Sequence, residues 1–310
     1  MTELNFEFSQ GAQITLPNLL RLHRLASLLP LPKQRKIFNE FSGQYSSKIR
    51  GRGMDFSDVR IYQAGDDLRT MDWRVTARTS KAHVKVYHEE RERPILLVCD
   101  LRAAMYFGSR RAFKSVLAAD LAALLAWAAF HAGDRVGALI FNDESELDLR
   151  PKAGKKNVLH LINELCQIEK TSAQDESASM RRLCQHLSQV TRPGSQVYFI
   201  SDFSGLDAKC EQQLHFISRH SDITALQLFD PLEEELPPPG IYPISDGHSQ
   251  FYLNSIPEEN RSAFQQQAAQ ESNALKMRLM ARNIPLIRLN SAQATLETLR
   301  NGLGLPQRTI

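Results

Sequence analysis

The feature that most constrains this chain is an alternation of strand and helix signals over residues 94–310. A short, wholly apolar run comes first, and a segment of helical period follows it. "PILLVCD" (94–100) leads into "RAFKSVLAADLAALLAWAAFHAG", and "GSQVYFISDF" runs into Asp202 ahead of "DAKCEQQLHFISRH". "DRVGALIFN", "SDITALQLFD" and "IPLIRLN" are further runs of the same kind. Strands apolar on both faces, alternating with helices, are stable as a parallel sheet covered on both sides. Right-handed crossovers then follow. The expected fold class is α/β, a doubly wound, mostly parallel sheet over residues 94–310. "SELDL" is read as a short edge strand. Val158, Leu161, Ile162 and Leu165 repeat at helical spacing, and Gly133 is placed to close the long alanine-rich helix. "PLEEELPPPGIYPISDGHSQFYL" interrupts the pattern. Its prolines cannot continue a central strand, so it is read as a Pro-rich hairpin insertion near 231–253, at the sheet edge.

Residues 1–39 are read as an N-terminal helical segment. "LPNLLRLHRLASLLPL" is too short and too often interrupted by Arg, His and Pro to cross a bilayer, and the alanine-rich helix carries Asp120 as a buried helix can. Residues 16–31 are expected to pack on their own domain in preference to a membrane surface. The reading is a cytoplasmic protein without a membrane span. With 310 residues, 42% hydrophobic, and a net charge of +3, the chain has ordinary globular composition and is no polycation. Its four cysteines are far apart and read as reduced core thiols.

Residues 40–93 have a different texture, charged and punctuated by glycine. "VRIY" and "VKVYHEERER" read as strands of a small β-rich unit packed on the sheet domain, with Asp66 or Asp67 capping a short helix through Ala77. Trp73 and Tyr62 are expected to anchor it by burying aromatic area. Its basic residues, from Arg60 to Lys85, are answered by Glu89, Glu90 and Glu92 and lack aromatic interleaving. Internal ion pairs are therefore preferred to nucleic-acid binding.

In an open parallel sheet, ligands sit at the carboxyl ends of the strands. Asp100 and Asp202 both stand at such ends. If their strands are neighbours, about 5 Å apart, the two carboxylates face one crevice. That geometry suits a divalent cation with oxygen ligands. It suits equally one acid capping the next helix while the other is solvated. Elsewhere "AGKKN" lacks the rest of a phosphate loop, and neither GxGxxG, HExxH nor GxSxG occurs. Nothing assembles a nucleophile, base and orienting acid, so the chain is read as no enzyme and without a cofactor.

The stretch from Gly51 to Asp100 closely resembles the signature of the bacterial domain-of-unknown-function-58 family. The matching positions are Gly51, Gly53, Phe56, Asp58, Arg60, Tyr62, Gly65, Asp66, Asp67, Arg69, Asp72, Trp73, Ala77 and Arg78. The resemblance covers residues from about 43 to 230 and is only general beyond. It implies a von Willebrand factor A-like fold and an association with MoxR-type AAA+ ATPases. It also implies a metal-ion-dependent adhesion site of the form D-x-S-x-S, completed by a Thr from a later loop and an Asp after the fourth strand. The first and fourth strands of that fold are central neighbours. This chain keeps Asp100 and Asp202 but has Arg102 and Ala104 in place of the serines, with Thr171 or Ser172 left to supply the hydroxyl.

Two hydroxyl ligands are thus missing, and Arg102 brings a permanent charge. The site is read as degenerate and metal-free, with Arg102 bridging Asp100 and Asp202. The competing reading turns Arg102 to solvent and bonds the acids to backbone N–H groups of the following loops. The expected function is a non-enzymatic adaptor that works with a MoxR-type ATPase, and a client protein, in protein maturation or stress handling. Its partner-binding rim is placed at Met105, Tyr106, Phe107 and Ser204. The alternatives are a metal-dependent protein-binding module, and an anion or nucleic-acid binder using the 60–85 basic stretch.

Overall fold

The computed structural model describes residues 8–31, 54–63, 71–89, 94–168, 175–245, 250–293 and 296–305. The chain forms two compact units, one of Met1–Lys33 with Arg93–Ile310 and one of Gln34–Glu92.

In the larger unit two short helices come first, α1 (Leu16–Arg21) and α2 (His23–Ala26). In the smaller unit, strand β1 (Met54–Ile61) pairs antiparallel with β2 (His83–Glu89), and α3 (Trp73–Thr79) lies between them in sequence. Asp72 is the residue that caps α3, accepting from the backbone N–H groups of Arg74 and Val75 at 3.0 and 3.1 Å. This corrects the assignment to Asp66 or Asp67, which lie outside the described residues. Asp72 stands immediately before the helix, where a carboxylate reaches those N–H groups. Trp73 is 70% exposed, so it is not the buried anchor expected of it; Tyr62 is half-buried.

The larger unit continues with β3 (Pro94–Asp100), α4 (Lys114–His131), β4 (Arg135–Phe141) and β5 (Glu146–Lys152). Next come α5 (Lys155–Gln167), α6 (Glu176–Val190), β6 (Gln196–Ser201), α7 (Ala208–Ser218) and β7 (Asp222–Phe229). The chain then runs through α8 (Pro231–Glu234), β8 (Ile241–Ser245), β9 (Gln250–Asn254), α9 (Glu258–Met280), β10 (Leu286–Asn290) and α10 (Leu296–Gly302). The six-stranded sheet has the order β10-β7-β6-β3-β4-β5 and is parallel except for the edge strand β5. The first and fourth of its strands in sequence, β3 and β6, are central neighbours. This is a doubly wound α/β arrangement, with the central strand pair that the family resemblance implies.

Both faces of the sheet are buried, as strands without polar alternation require. Along β3, Ile95, Leu97 and Cys99 face a core shared with α1, α2, α4, α5 and α10, while Leu96 and Val98 face a second core shared with α6, α7 and α9. Helix α4 is buried along nearly its whole length. It is also the one helix among the described residues apolar and long enough to cross a membrane, and 89% of it is buried in this core. Asp120 is tolerated there because the backbone N–H and hydroxyl of Ser9 both donate to its carboxylate. Gly133, at φ 78°, closes the helix from the left-handed region.

Strands β8 and β9 form a hairpin that is a separate two-stranded sheet, not an extension of the large sheet's edge. Pro243 sits within β8, and a strand containing proline is a poor ladder partner for a central sheet.

Candidate functional site

Asp100 ends β3, and Asp202 follows the last residue of β6. Because β3 and β6 pair in register up to Cys99 and Ile200, the two acids emerge side by side at the carboxyl edge. Two cations beside them decide the chemistry. The backbone after Asp100 turns at once, so that Arg102 folds back and buries its whole side chain. Its Nη2 donates to Asp100 Oδ2 at 2.7 Å and lies 3.6 Å from Asp202 Oδ1. Its Nε donates to Asp100 as well, at 3.1 Å. The remaining guanidinium donors go to backbone carbonyls, Nη1 to Glu176 at 3.1 Å and Nη2 to Ser204 at 3.2 Å. The Phe141 ring lies 5.6 Å from the guanidinium carbon.

The second cation is Lys114, the first residue of α4, also fully buried. Its Nζ donates to Asp202 Oδ2 at 3.0 Å and to Glu233 Oε1 at 2.6 Å. Glu233 belongs to α8, where its other oxygen accepts from the backbone N–H of Asp230 at 2.9 Å, completing a capping box. Two cations are thus interleaved with three carboxylates.

The backbone contributes too. The N–H of Arg102 donates to Asp100 at 3.0 Å, and the N–H and hydroxyl of Ser204 donate to Asp202 at 3.0 and 2.8 Å. Ser201 Oγ donates to Asp100 at 2.7 Å. Both readings of the two acids therefore hold together: the carboxylates take loop N–H groups, and the guanidinium turns inward to them. The solvent-facing Arg102 is excluded, because its side chain has 1% exposure. Burial pushes the Asp100 carboxyl up, opposed by the Arg102 charge and its hydrogen bonds. Burial acts on Asp202 in the same sense, but Lys114 and Arg102 outweigh it and hold that carboxyl below its usual range. Burial likewise disfavours charge on Lys114, and Asp202 and Glu233 more than offset it, so the ammonium persists.

These residues do not fit a divalent ion. Arg102 stands where the resemblance implies a hydroxyl ligand, and Asp202 is already bound by the Lys114 ammonium; neither cation can coordinate a metal. Ala104 adds no oxygen, and Thr171 and Ser172 lie outside the described residues. Among the described residues no group of three His, Cys, Asp or Glu side chains is placed to hold a metal ion.

The same edge carries two further buried acids. Asp143, beyond β4, accepts from the N–H of Ala103 at 2.7 Å. Asp230, after β7, accepts from Ser109 through N–H (2.8 Å) and hydroxyl (2.5 Å), and from Ser291 at 2.6 Å. Burial disfavours the charged form of Asp230, but these hydrogen bonds hold its carboxyl below the usual range. Ser109 is in the loop before α4 and Ser291 follows β10, so Asp230 fastens two loops to the end of β7.

The four residues expected at a partner-binding rim differ in exposure. Met105 is fully buried in the core under α4 and offers nothing to a partner, which corrects its assignment; the turn Ala103–Met105 points its last side chain inward. Tyr106 and Ser204 are half-buried and Phe107 is 41% exposed. Of the signature positions, Asp58 and Arg60 lie on β1, Tyr62 just beyond it, and Asp72, Trp73 and Arg78 at α3, while Gly65, Asp66, Asp67 and Arg69 lie outside the described residues. Lys114, Glu233 and Asp230 were not anticipated as site residues. The signal for the last two was present in "DPLE", an aspartate, a proline and a glutamate at capping-box spacing. Lys114 carries no local signal, because its role depends on β6 lying beside β3.

Comparison with other proteins adds no assigned activity. Uncharacterised proteins of Mycobacterium bovis and Mycobacterium tuberculosis are each 29% identical over 221 residues, covering 71% of this chain and 69% of the relative. Among solved structures, the conserved hypothetical protein BatB from Bacteroides thetaiotaomicron aligns with a TM-score of 0.36 at 10% identity, over 62% of this chain and 98% of its own. An aerotolerance-related membrane protein from Bacteroides fragilis aligns with a TM-score of 0.39 at 13% identity, over 68% and 98%. Residues 58–274 match the model of the protein family of unknown function DUF58, and a match over that much of a 310-residue chain makes this protein a member of the DUF58 family.

Proposed function

We propose that this protein is a non-enzymatic adaptor that works in the cytoplasm with a MoxR-type AAA+ ATPase, presenting a client for maturation or stress handling. The observation that carries the reading is the closed ion network at the carboxyl edge of the sheet. Where an α/β enzyme keeps its reactive groups, Asp100, Asp202 and Glu233 are bound by Arg102 and Lys114. A general base must be free to take a proton, whereas Asp100 and Asp202 are buried and already bound by cations and by N–H and O–H donors. What the edge does offer is shape. Four loops are tied to buried acids, so Tyr106, Phe107 and Ser204 are held on a rigid surface of the kind partners use. The metal-dependent module is disfavoured by the same two cations.

The test is binding of the purified chain to the MoxR-type ATPase encoded in the same genome, with ATP, with ADP and without nucleotide. Saturable binding in at least one state, weakened by Phe107→Asp, is expected. Absence of binding in all three states would end the proposal.

A further inference from the structure

A second surface lies toward the far end of α4 from Lys114, at Trp127, roughly 20 Å along the helix axis. There the N-terminal helices and α5 leave an open cleft of about 610 Å³, floored by Leu20, Trp127 and Leu159 and rimmed by Arg21, Arg24 and Lys155. Leu20 and Leu159 are 38% and 37% exposed, although Leu19 beside the first and Leu161 and Leu165 on the helix of the second are in the core. Among the described residues no carboxylate lines the cleft. His23 stands edge-on to the Trp127 ring at 4.6 Å between centroids. Burial first, then the positive charge of His131, Lys155 and Arg24, pushes its imidazole below the usual range, which reports a positive local field. The indole Nε1 of Trp127 is buried without a hydrogen-bond partner.

We propose that this cleft receives an acidic amphipathic segment of a partner protein, one apolar side chain seated between the exposed Leu20 and Leu159, next to the buried Trp127 ring, and flanking carboxylates paired with Arg24 and Lys155. Charge complementarity selects the partner's sign: Arg24 and Lys155, exposed at the rim, are matched by carboxylates, which also steer the encounter. Shape selects the class. A concave floor accepts a protruding side chain, as in helix-in-groove recognition, where a bilayer presents a plane. An open cleft accommodates a segment that continues beyond it. The inference does not rest on the ATPase partnership, since the cleft and the carboxyl-edge rim are at different ends of α4.

The test uses the full chain with Trp73→Phe, which leaves Trp127 as the only tryptophan. The probe is a short helical peptide with Phe at its centre and Glu three and four residues to either side. A counterpart carries Lys for Glu. The acidic peptide is expected to shift Trp127 emission saturably, and the basic one to leave it unchanged. Arg24→Glu with Lys155→Glu should weaken binding about tenfold or more; Arg24→Gln with Lys155→Gln, a milder change at two exposed positions, should weaken it less. Absence of binding by the acidic peptide, equal binding by both peptides, or binding indifferent to charge reversal would each overturn the proposal. So would a Trp127 shift produced by phosphatidylglycerol vesicles and not by the peptide, which would assign the cleft to a membrane.

Discussion

Replacing Arg102 with Met removes the cation between Asp100 and Asp202 while keeping much of the side-chain volume. Asp100 is then fully buried with no cation, since the nearest other one, Lys114, is bonded to Asp202 and Glu233. A carboxylate so placed takes up a proton. From an ordinary value near 3.9, keeping it neutral at pH 7 costs about 4 kcal/mol, and at pH 5 about 1.5 kcal/mol. The carbonyls of Glu176 and Ser204 also lose a charged donor, which adds about 1 kcal/mol or more. The total, about 5 kcal/mol at neutral pH, is a large part of the stability of an ordinary domain. Its sign with pH is definite. The variant's Asp100 has a raised value in the folded state, so the deficit is smallest at low pH and grows as pH rises. Urea unfolding followed by Trp127 fluorescence in the Trp73→Phe background measures it. The deficit relative to wild type should shrink by about 2.5 kcal/mol between pH 7 and pH 5. Asp100→Asn with Arg102→Met should abolish that dependence. A deficit equal at the two pH values, or below about 1 kcal/mol at pH 7, would mean that Arg102 does not neutralise Asp100.

Other outcomes follow from the same geometry. Lys114→Met should destabilise less than Arg102→Met in the same unfolding assay, because the Glu233 side chain is 37% exposed and can be solvated again. Calorimetric titration of the wild type with Mg²⁺ or Mn²⁺ should show no specific binding; stoichiometric binding would mean that the two cations yield to metal. Asp202 and Asp230, both held below the usual carboxylate range, contribute stability that is complete above about pH 4 and lost as pH falls through their folded values. Asp230→Asn should therefore flatten the acid limb of the stability profile as well as lower its plateau. Trp73→Ala should change stability by under about 1 kcal/mol, since the ring is 70% exposed. Gly205→Ala should destabilise measurably in thermal unfolding, because Gly205 has φ 75° and a Cβ there would stand 2.6 Å from the Glu176 carbonyl that Arg102 uses.

Much of this molecule is legible in local pattern. Apolar runs such as "PILLVCD" and "VYFIS" have no polar face, so they must lie between two helical layers, and they do. The position of Asp100 and Asp202 at strand ends follows from where those runs stop. The loss of the D-x-S-x-S hydroxyls is a matter of reading Arg102 and Ala104. The cap of α3 was misplaced because several aspartates precede it and sequence does not rank them. Trp73 was misjudged because aromatic area is a reason for burial but does not state which ring finds a pocket.

What the sequence alone determined is therefore the sheet, its two covered faces, the two acids at its edge and the arginine set beside the first. The tertiary structure decided how those charges are satisfied. Lys114 lies 88 positions from Asp202 and Glu233 lies 119 from Lys114, so their meeting depends on β6 pairing with β3 and on α8 turning back over the start of α4. Likewise, Arg24, Lys155 and Trp127 share a cleft only because α1, α2 and α5 settle on one side of α4. Local period reports which side of an element is apolar. It does not report which distant charge arrives there, because that is set by strand order and crossover, and a buried charge is stable only once its partner has arrived.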